Sequence, residues 1–303
     1  MNNEQSSRTA LMTAYIRGYH ALNNDPKIFD DSIGYRLVPP PAREALEKHL
    51  IRTAAQMAPE RAGECIDEQA ALKLGVHIMA GSILARARYV EDKLVEVIHD
   101  KGVCQYIILG AGLDTFALRR PDLAHILQVF EIDHPASQAG KRAALKQAGL
   151  EEPANLHFIP IDFNLQSLSS ALKDSAYDPQ VPSFFCWAGV THYLPREAIY
   201  ATLRDIVKLS PPGSELVFDY WDQAAFDPTR ASSRIKSLIE STKSIGEPII
   251  TGFDPAGLDQ ELAPLGWQVL DNLGPEDIRD KYKLADLGYT TSQHVHLACV
   301  EVI

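Results

Sequence analysis

The sequence predicts an α/β fold, a Rossmann-like sheet of seven strands with helices on both faces. After residue 100, short apolar runs alternate with helical stretches, which is typical of a mostly parallel sheet covered on both sides. The apolar run that ends at Leu109 also stops at a glycine turn, and the next run ends at the carboxylate of Asp133. A strand, a glycine-rich turn, a helix and a second strand with a terminal acid form half of a nucleotide-binding unit.

The predicted strands are short apolar runs of a length that suits buried strands. They cover residues 105–109, 128–132, 157–160, 183–187, 215–220, 267–271 and 295–300. Helical stretches lie between most of them, for example at residues 136–148 and 195–209.

Before residue 100, apolar positions recur at spacings of three and four, which predicts helices over residues 42–57 and 83–98. Residues 25–41 contain four prolines and a glycine, so we expect a loop there. We therefore divide the chain into an N-terminal helical cap, residues 1–100, and a core, residues 101–303. Within that core, residues 221–264 interrupt the alternation between the fifth and sixth strands, and their helix-like stretch 231–243 predicts a lid over the strand ends.

The composition is that of an ordinary globular enzyme, with 46% hydrophobic and 23% charged residues. A formal net charge of −11 argues against a nucleic-acid-binding surface, which needs clustered Lys and Arg. We see neither a secretory leader nor an apolar run near the roughly 18–20 residues that span a bilayer, so we expect a cytoplasmic protein without a membrane partner. The four cysteines form no CxxC pair, and we expect reduced thiols and no bound metal.

The glycine turn reads Gly110-x-Gly112-x-x-Thr115, so it lacks the third glycine of a dinucleotide-binding fingerprint. Asp114 lies in the same turn, where its carboxylate would repel a pyrophosphate but would suit a ligand that carries an ammonium group. Asp133 can accept hydrogen bonds from the two hydroxyls of a ribose. The pattern favours a nucleoside-bearing cofactor, and an NAD-dependent oxidoreductase is a remote alternative.

The turn and the following acid also carry a resemblance to a known family. The sequence Gly-Ala-Gly-Leu-Asp-Thr at 110–115, followed by Glu-Ile-Asp-His-Pro at 131–135 and Lys141, resembles the leucine carboxyl methyltransferase family, which includes bacterial natural-product carboxyl O-methyltransferases. Weaker matches follow in the family's order along nearly the whole chain, at residues 14–17, 28–31, 85–89, 160–163, 189–195, 246–248 and 277–282. The resemblance implies S-adenosylmethionine (SAM) as the cofactor.

The same resemblance implies roles at the methionine end of that cofactor. Arg86 would hold the cofactor's carboxylate, because a guanidinium grips a carboxylate with two parallel hydrogen bonds. Gly110 and Gly112 would line the methionine portion, beside Asp114. A helix-packing role for Arg86 is the structural alternative.

At the adenosine end, the resemblance assigns Asp133 to the ribose diol and Asp162 to the adenine amino group. Phe163 would offer its backbone amide or its ring face to the adenine. An aspartate after a strand is also a common helix-capping residue, so a purely structural Asp162 stays open.

One position departs from the family pattern. Many members have a glutamate before the glycine of the Gly-Val-x-x-Tyr-Leu motif, where this chain has Ala188. That glutamate would lie near the cofactor's amino group or the reaction centre. Its loss predicts weaker SAM binding, a different substrate arrangement, or a chain that binds SAM without transferring a methyl group.

Three residues are candidates for the acceptor side. A carboxylate acceptor is ionised near pH 7 and needs a cation or a hydrogen-bond donor to orient it, but no general base. Arg17 is the first candidate, by resemblance to a basic residue on the family's N-terminal helix, and Tyr193 is the second, as a phenolic donor. His192 could act as a base for a phenol or enol. Each of the three has a structural alternative, as a solvated helix charge, a packed tyrosine and a hydrogen-bonded histidine.

These observations favour a SAM-dependent O-methyltransferase that acts on a carboxylate or hydroxyl of a small-molecule acceptor, with a role in secondary metabolism. One alternative is methylation of a C-terminal carboxylate on a partner protein. Another is a SAM-binding protein without methyl transfer. The oligomeric state stays open.

Overall fold

The computed structural model describes residues 8–162, 166–244 and 246–303. In these residues the chain forms a seven-stranded sheet in the order β3-β2-β1-β4-β5-β7-β6. The strands are β1 Gln105–Leu109, β2 Gln128–Asp133, β3 Leu156–Pro160, β4 Ser183–Trp187, β5 Glu215–Trp221, β6 Trp267–Leu273 and β7 Val295–Val302. Strands β1 to β5 pair in parallel, and β7 pairs antiparallel with β5 and β6. The predicted fold is confirmed, and each predicted strand lies within two residues of the observed bounds.

The sheet separates two apolar layers. Successive side chains of a strand point to opposite faces. In β1, Tyr106 and Ile108 join the cluster that packs against the N-terminal helices, and Ile107 and Leu109 join the cluster on the other face. Every residue of β1, β4 and β5 is buried, which explains why these strands appear in the sequence as continuous apolar runs.

Four helices precede the sheet: α1 Arg8–Asn23, α2 Ser32–Leu37, α3 Pro40–Met57 and α4 Glu68–Lys101. Helix α2 corrects the loop expected over residues 25–41. The side chain of Asp31 accepts a hydrogen bond from the Gly34 amide at 2.9 Å and caps this short helix, and the prolines lie outside it.

Helix α4 begins fifteen residues earlier than the predicted 83–98 segment. Its first half contains glycines that allow close packing, and these glycines hide the helical pattern in the sequence. A Cβ on Gly75 would lie 2.9 Å from the carbonyl oxygen of Leu50, and a Cβ on Gly81 would lie 2.3 Å from that of Thr290. These glycines weaken the helical pattern in the sequence, yet they allow α3 and the segment near residue 290 to approach the helix.

Within the described ranges, α4 is also the one helix long and apolar enough to cross a membrane by length and composition. Lys73 and Arg86 interrupt its apolar residues, so the helix holds no continuous apolar run of the roughly 18–20 residues that span a bilayer. In its most apolar window, 56% of the residues are buried inside the protein, as in the core helix of a globular fold. One apolar cluster joins Leu84 and Val97 of α4 to Tyr106 of β1 and Val217 of β5. We propose that residue 100 marks the end of the cap along the sequence, and that the residues before and after it share one apolar cluster.

The remaining helices cover the sheet and its carboxyl ends. They are α5 Phe116–Arg119, α6 Pro135–Gln147, α7 Leu168–Leu172, α8 Arg196–Leu209, α9 Ser233–Ser244, α10 Leu258–Leu262 and α11 Pro275–Lys281. Helix α9 lies in the predicted lid, residues 221–264. The lid has its own apolar cluster, in which Trp221, Ile235 and Ile249 pack together.

Candidate cofactor and acceptor site

The predicted cofactor residues meet at the carboxyl ends of the parallel strands. Strand β1 has β2 on one side and β4 on the other, so the strand order reverses there, and such a reversal is where open α/β sheets bind ligands. The residues that the sheet gathers at this edge are Gly110, Gly112, Asp114, Asp133, Asp162 and Ala188. Arg86 reaches the same edge from α4. Phe163 lies outside the described residues.

The glycine turn after β1 is closed by backbone hydrogen bonds and by two close contacts. The amide of Gly110 donates to the carbonyl oxygen of Ile132 at 2.7 Å. Both Gly110 and Gly112 have positive φ angles, +72° and +53°, which favour glycine. A Cβ on Gly110 would lie 2.4 Å from Cγ2 of Val190, and one on Gly112 would lie 3.3 Å from Cβ of Ala10. The turn therefore fits tightly between the loop after β4 and the start of α1.

Asp133 is a braced acceptor at the end of β2. Its Oδ2 accepts from the Gly112 amide and its Oδ1 accepts from the His134 amide, both at 2.6 Å. The side chain of Ser137 also hydrogen-bonds this carboxylate, which has about four acceptor positions in all, so some acceptor capacity remains. Burial raises the pKa of Asp133, and these two amides oppose the rise. A fixed carboxylate with spare acceptor capacity suits a ribose diol.

Asp162 lies beside Asp133, one strand further out. The amide of Ile161 donates to the carbonyl oxygen of Asp133 at 2.9 Å, which continues the β2–β3 ladder beyond β3. The amide of Gln166 donates to the carbonyl oxygen of Asp162 at 2.9 Å and turns the chain. The acids of β2 and β3 are thus neighbours along the edge, as an adenosine moiety requires.

Asp114 has a local use in the turn. Its Oδ1 accepts from the Phe116 amide at 2.7 Å and supports the start of α5. Asp114 also adds negative charge to a buried region. Burial raises the pKa of Glu131 to about 7, the charge of Asp114 adds to this rise, and Lys141 opposes it. Asp114 therefore shapes the turn, and its contact with a ligand's ammonium group stays a prediction.

Arg86 lies below the loop that follows β4. Its Nη1 donates to Oδ2 of Asp219 at 2.6 Å, and its side chain is 16% exposed. Gly189 has a φ of +77°, and a Cβ there would lie 3.0 Å from Nη2 of Arg86. The guanidinium thus packs directly against this loop. Ala188, the position of the missing glutamate, is half-buried in the same loop.

Sequence reasoning missed Asp219, the partner of Arg86 on β5. Its side chain is 1% exposed, and its Oδ1 accepts from the Gly189 amide at 2.5 Å. Burial would raise the pKa of Asp219, but Arg86, His192 and the Gly189 amide hold it below its usual value. The sequence did contain a sign of this residue, because an aspartate inside an apolar strand is a buried charge and needs a partner.

Arg17 contacts the glycine turn from α1. Its Nε donates to Oδ2 of Asp31 at 2.8 Å, and its Nη2 donates to the carbonyl oxygen of Leu113 at 2.8 Å. The side chain is 11% exposed. Arg17 is therefore an interior charge that contacts the turn itself, and its role toward an acceptor stays a prediction.

The two aromatic candidates follow β4 on a 3-10 helix, Thr191–Tyr193. Their ring centroids lie 4.1 Å apart, and the His192 ring lies 5.8 Å from that of Trp221. Burial lowers the pKa of His192 to about 4, so the imidazole is neutral near pH 7. Among the residues that the structure describes, Nδ1 of His192 is buried without a hydrogen-bond partner.

Tyr193 lies between the cap and the lid. Burial, together with the negative charge of Glu247, raises its pKa to about 12, so the phenol keeps its proton at neutral pH. The amide of Thr9, in the first turn of α1, donates to Oε2 of Glu247 at 3.4 Å. Lid and cap therefore touch beside the Tyr193 ring.

The residues at this edge fit a nucleoside that carries an amino-acid tail. Asp133 at the end of β2 and Asp162 just after β3 lie on one side of β1, and a guanidinium paired with a carboxylate lies on the side of β4 and β5. In the described parts of the chain, no group of three or more His, Cys, Asp or Glu side chains could hold a metal ion. The fold and the edge together define a Rossmann-like enzyme for a nucleoside cofactor.

Comparison with known proteins gives the family. Residues 10–207 match the family described as leucine carboxyl methyltransferase, and the chain belongs to that family. A Bacillus subtilis (strain 168) relative, named "Putative S-adenosyl-L-methionine-dependent methyltransferase YktD", is 35% identical over 287 residues, which are 93% of each chain. A relative from Mycolicibacterium smegmatis, also named for SAM-dependent methyl transfer, is 32% identical over 65% of each chain.

A solved structure supports the fold alone. A DUF574 family protein of Streptomyces avermitilis aligns over 98% of each chain with a TM-score of 0.57 and 15% identity.

Proposed function

We propose that this SAM-dependent methyltransferase methylates a carboxylate or hydroxyl oxygen of a small-molecule acceptor. Family membership and the cofactor edge support methyl transfer from SAM. When bound, SAM supplies a methyl group activated by a sulfonium. The family resemblance to natural-product O-methyltransferases extends the proposal to a cytoplasmic role in secondary metabolism.

The position of Tyr193 carries the proposal for the acceptor. The phenol lies where Thr9 of α1 meets Glu247 of the lid, and its ring packs against His192 near Trp221. A site lined by aromatic rings between cap and lid suits a small acceptor better than the terminus of a polypeptide chain. The apolar cluster of the lid extends this lining.

Positioning accounts for much of the rate in such a displacement, because the acceptor oxygen must lie in line with the transferred methyl group. Tyr193 is protonated at neutral pH and can donate a hydrogen bond to one oxygen of a carboxylate. The other oxygen is then left to attack. No residue has to remove a proton from an acceptor that is already ionised.

A hydroxyl acceptor is the second possibility, and Nδ1 of His192, which has no hydrogen-bond partner among the described residues, favours it. This nitrogen could accept the hydroxyl hydrogen. However, burial lowers the pKa of His192 to about 4, which makes the ring a weak base. We therefore favour a carboxylate, or a phenol acidic enough to need little assistance.

An acceptor screen tests the proposal. The protein is incubated with SAM and with small carboxylic acids, phenols, or peptides that end in a free carboxylate, and S-adenosylhomocysteine is measured. We expect turnover with a small acid or phenol, and a strong loss of turnover in Tyr193→Phe. The matched control is Tyr177→Phe, whose buried hydroxyl donates to the carbonyl oxygen of Leu209 at 3.0 Å, away from the cofactor edge. Turnover of the peptides alone, or SAM binding without turnover of any acceptor, would overturn the proposal.

A further inference from the structure

The buried pair of Arg86 and Asp219 is held by more hydrogen bonds than the packing of a helix against a strand requires. Asp219 uses both carboxylate oxygens, Oδ2 for Arg86 and Oδ1 for the Gly189 amide. The hydroxyl of Thr191 also donates to the carbonyl oxygen of Asp219 at 2.6 Å. One residue of β5 therefore fixes a side chain of α4 and two residues of the loop after β4.

The pair lies at one end of the cofactor edge, away from the acids at 133 and 162. Strand β4 follows β1 in the sheet and β5 follows β4, whereas β2 and β3 lie on the other side of β1. A ligand that spans the edge would place one end over the acids and the other over this pair. If Asp133 takes the ribose, the amino-acid end of the cofactor faces Arg86 and Asp219.

The charges of the pair match that end of the ligand. An amino-acid moiety carries a carboxylate, and the pair offers it the guanidinium of Arg86, which Asp219 holds in place. Arginine has five N–H donors. Nη1 of Arg86 donates to Asp219, and Nη2, which lies next to Gly189, can still donate to a ligand. A guanidinium held on one edge presents its other donors in a fixed direction.

We infer that Asp219 is a positioning residue for the amino-acid end of the cofactor: it fixes the Arg86 guanidinium and the Gly189 loop so that they bind that end. Trp187 pairs with Phe218, so position 188 lies beside Asp219 across neighbouring strands. Asp219 therefore lies at the level of the sheet where this chain has Ala188. The inference rests on the proposed function and on the placement of SAM along this edge.

A pair of ligands tests it by calorimetric titration. S-adenosylhomocysteine carries the amino-acid end, and 5′-methylthioadenosine shares the adenosine and the sulfur but lacks that end. In Asp219→Asn we expect the affinity for S-adenosylhomocysteine to fall about tenfold or more, as when a charge-assisted hydrogen bond is lost. The affinity for 5′-methylthioadenosine should change less than about twofold by the same reasoning, since this ligand never reaches the pair.

Glu215→Gln is the matched control. Glu215 lies at the opposite end of the same strand, is buried, and pairs with Lys101 at 2.6 Å. This variant removes a comparable charge from β5 without touching the edge, so both affinities should be kept. If Asp219→Asn does not fold, Arg86→Lys gives the same comparison, because it keeps the positive charge but loses the planar fork.

Three results would overturn the inference. Equal losses for both ligands in Asp219→Asn would mean that Asp219 supports the fold as a whole. Unchanged affinity for both would mean that the pair does not serve the ligand. Additive losses in Arg86→Gln, Asp219→Asn and the double variant would mean that Asp219 does not act through Arg86. A wild-type protein that binds neither ligand would instead contradict the proposed cofactor, which is a separate failure.

Discussion

Arg17 of α1 and Asp31 at the start of α2 form a buried ion pair, with Nε and Oδ2 2.8 Å apart. The same guanidinium donates to the carbonyl oxygen of Leu113 in the glycine turn. Burial would raise the pKa of Asp31, but Arg17 and Arg119 hold it below its usual value. The two N-terminal helices and the cofactor turn therefore share one charged contact.

Arg17→Ala should destabilise the protein by about 3 kcal/mol, because it leaves a buried carboxylate without its main partner. Urea unfolding measures this loss. The control is Arg142→Ala, which removes an exposed partner of Glu152 and should change stability by less than about 1 kcal/mol. Equal stability of the two variants would contradict the structural role of Arg17.

A second variant, Arg17→Lys, separates two functions of Arg17. If the guanidinium shapes the turn, Arg17→Lys should weaken S-adenosylhomocysteine binding and leave turnover near normal once SAM is saturating. If it orients the acceptor instead, cofactor affinity should hold and the acceptor KM should rise. Titration with S-adenosylhomocysteine and an acceptor saturation curve distinguish these outcomes.

Asp133→Ala should reduce S-adenosylhomocysteine affinity by about 1.5–3 kcal/mol, through loss of charge-assisted hydrogen bonds to the ribose. The change also frees the amides of Gly112 and His134, so the fold should be checked by circular dichroism. Asp122→Ala, at an exposed pair with Arg120, is the control and should bind normally. Normal affinity in a folded Asp133→Ala protein would refute the ribose assignment.

Gly110→Ala should damage cofactor binding and stability more than Gly149→Ala. Both glycines have a positive φ, +72° and +65°, so each substitution costs about 1–2 kcal/mol of backbone strain. Only Gly110 adds a clash, because its Cβ would lie 2.4 Å from Val190 and no atom lies within 4 Å of a Cβ on Gly149. Val190→Ala should partly rescue Gly110→Ala. Equal losses at both glycines would contradict the close fit of the turn.

Thermal stability should fall with acid below about pH 6.5. Burial lowers the pKa values of His20, His77 and His192 to about 4, from an ordinary 6.5. As the pH falls, the unfolded chain binds these protons first, so stability is lost between about pH 6.5 and 4 and is unaffected by these groups at higher pH. The raised pKa of Glu131 acts in the opposite direction below pH 7 and offsets part of this loss.

Melting temperature as a function of pH checks this prediction. His192→Asn should flatten the slope between pH 6.5 and 5, and the exposed His125→Asn should leave it unchanged. A slope that His192→Asn leaves unchanged would show that His192 is not held neutral in the folded state.

The strands could be predicted because burial on both faces makes each one a continuous apolar run. Shorter or glycine-interrupted elements could not. Helix α2 has six residues and depends on the cap of Asp31, and the first half of α4 contains Gly75 and Gly81, whose value lies in contacts with distant segments. Sequence spacing carries no record of such contacts.

The same limit applies to the site. The glycine turn and Asp133 are adjacent to their strands, so local pattern was enough to place them at one edge. The Arg86–Asp219 pair joins positions 133 residues apart, and Asp219 is enclosed by apolar neighbours in the sequence. Arg17 likewise meets Asp31 only after α1 and α2 pack together. Long-range charge pairs of this kind require the three-dimensional arrangement.

Helix α4 has a consequence for engineering. At 34 residues it is about 50 Å long, and one rigid rod carries Arg86 at the cofactor edge and Glu91, which pairs with Arg119 behind the glycine turn. Exchanging the first 100 residues with those of a relative, as a way to graft a new acceptor preference, would also replace one partner in each of three charge pairs of the described chain, Arg86–Asp219, Glu91–Arg119 and Asp31–Arg119. A successful chimaera would have to bring Asp219 and Arg119, or their equivalents, with the grafted helix.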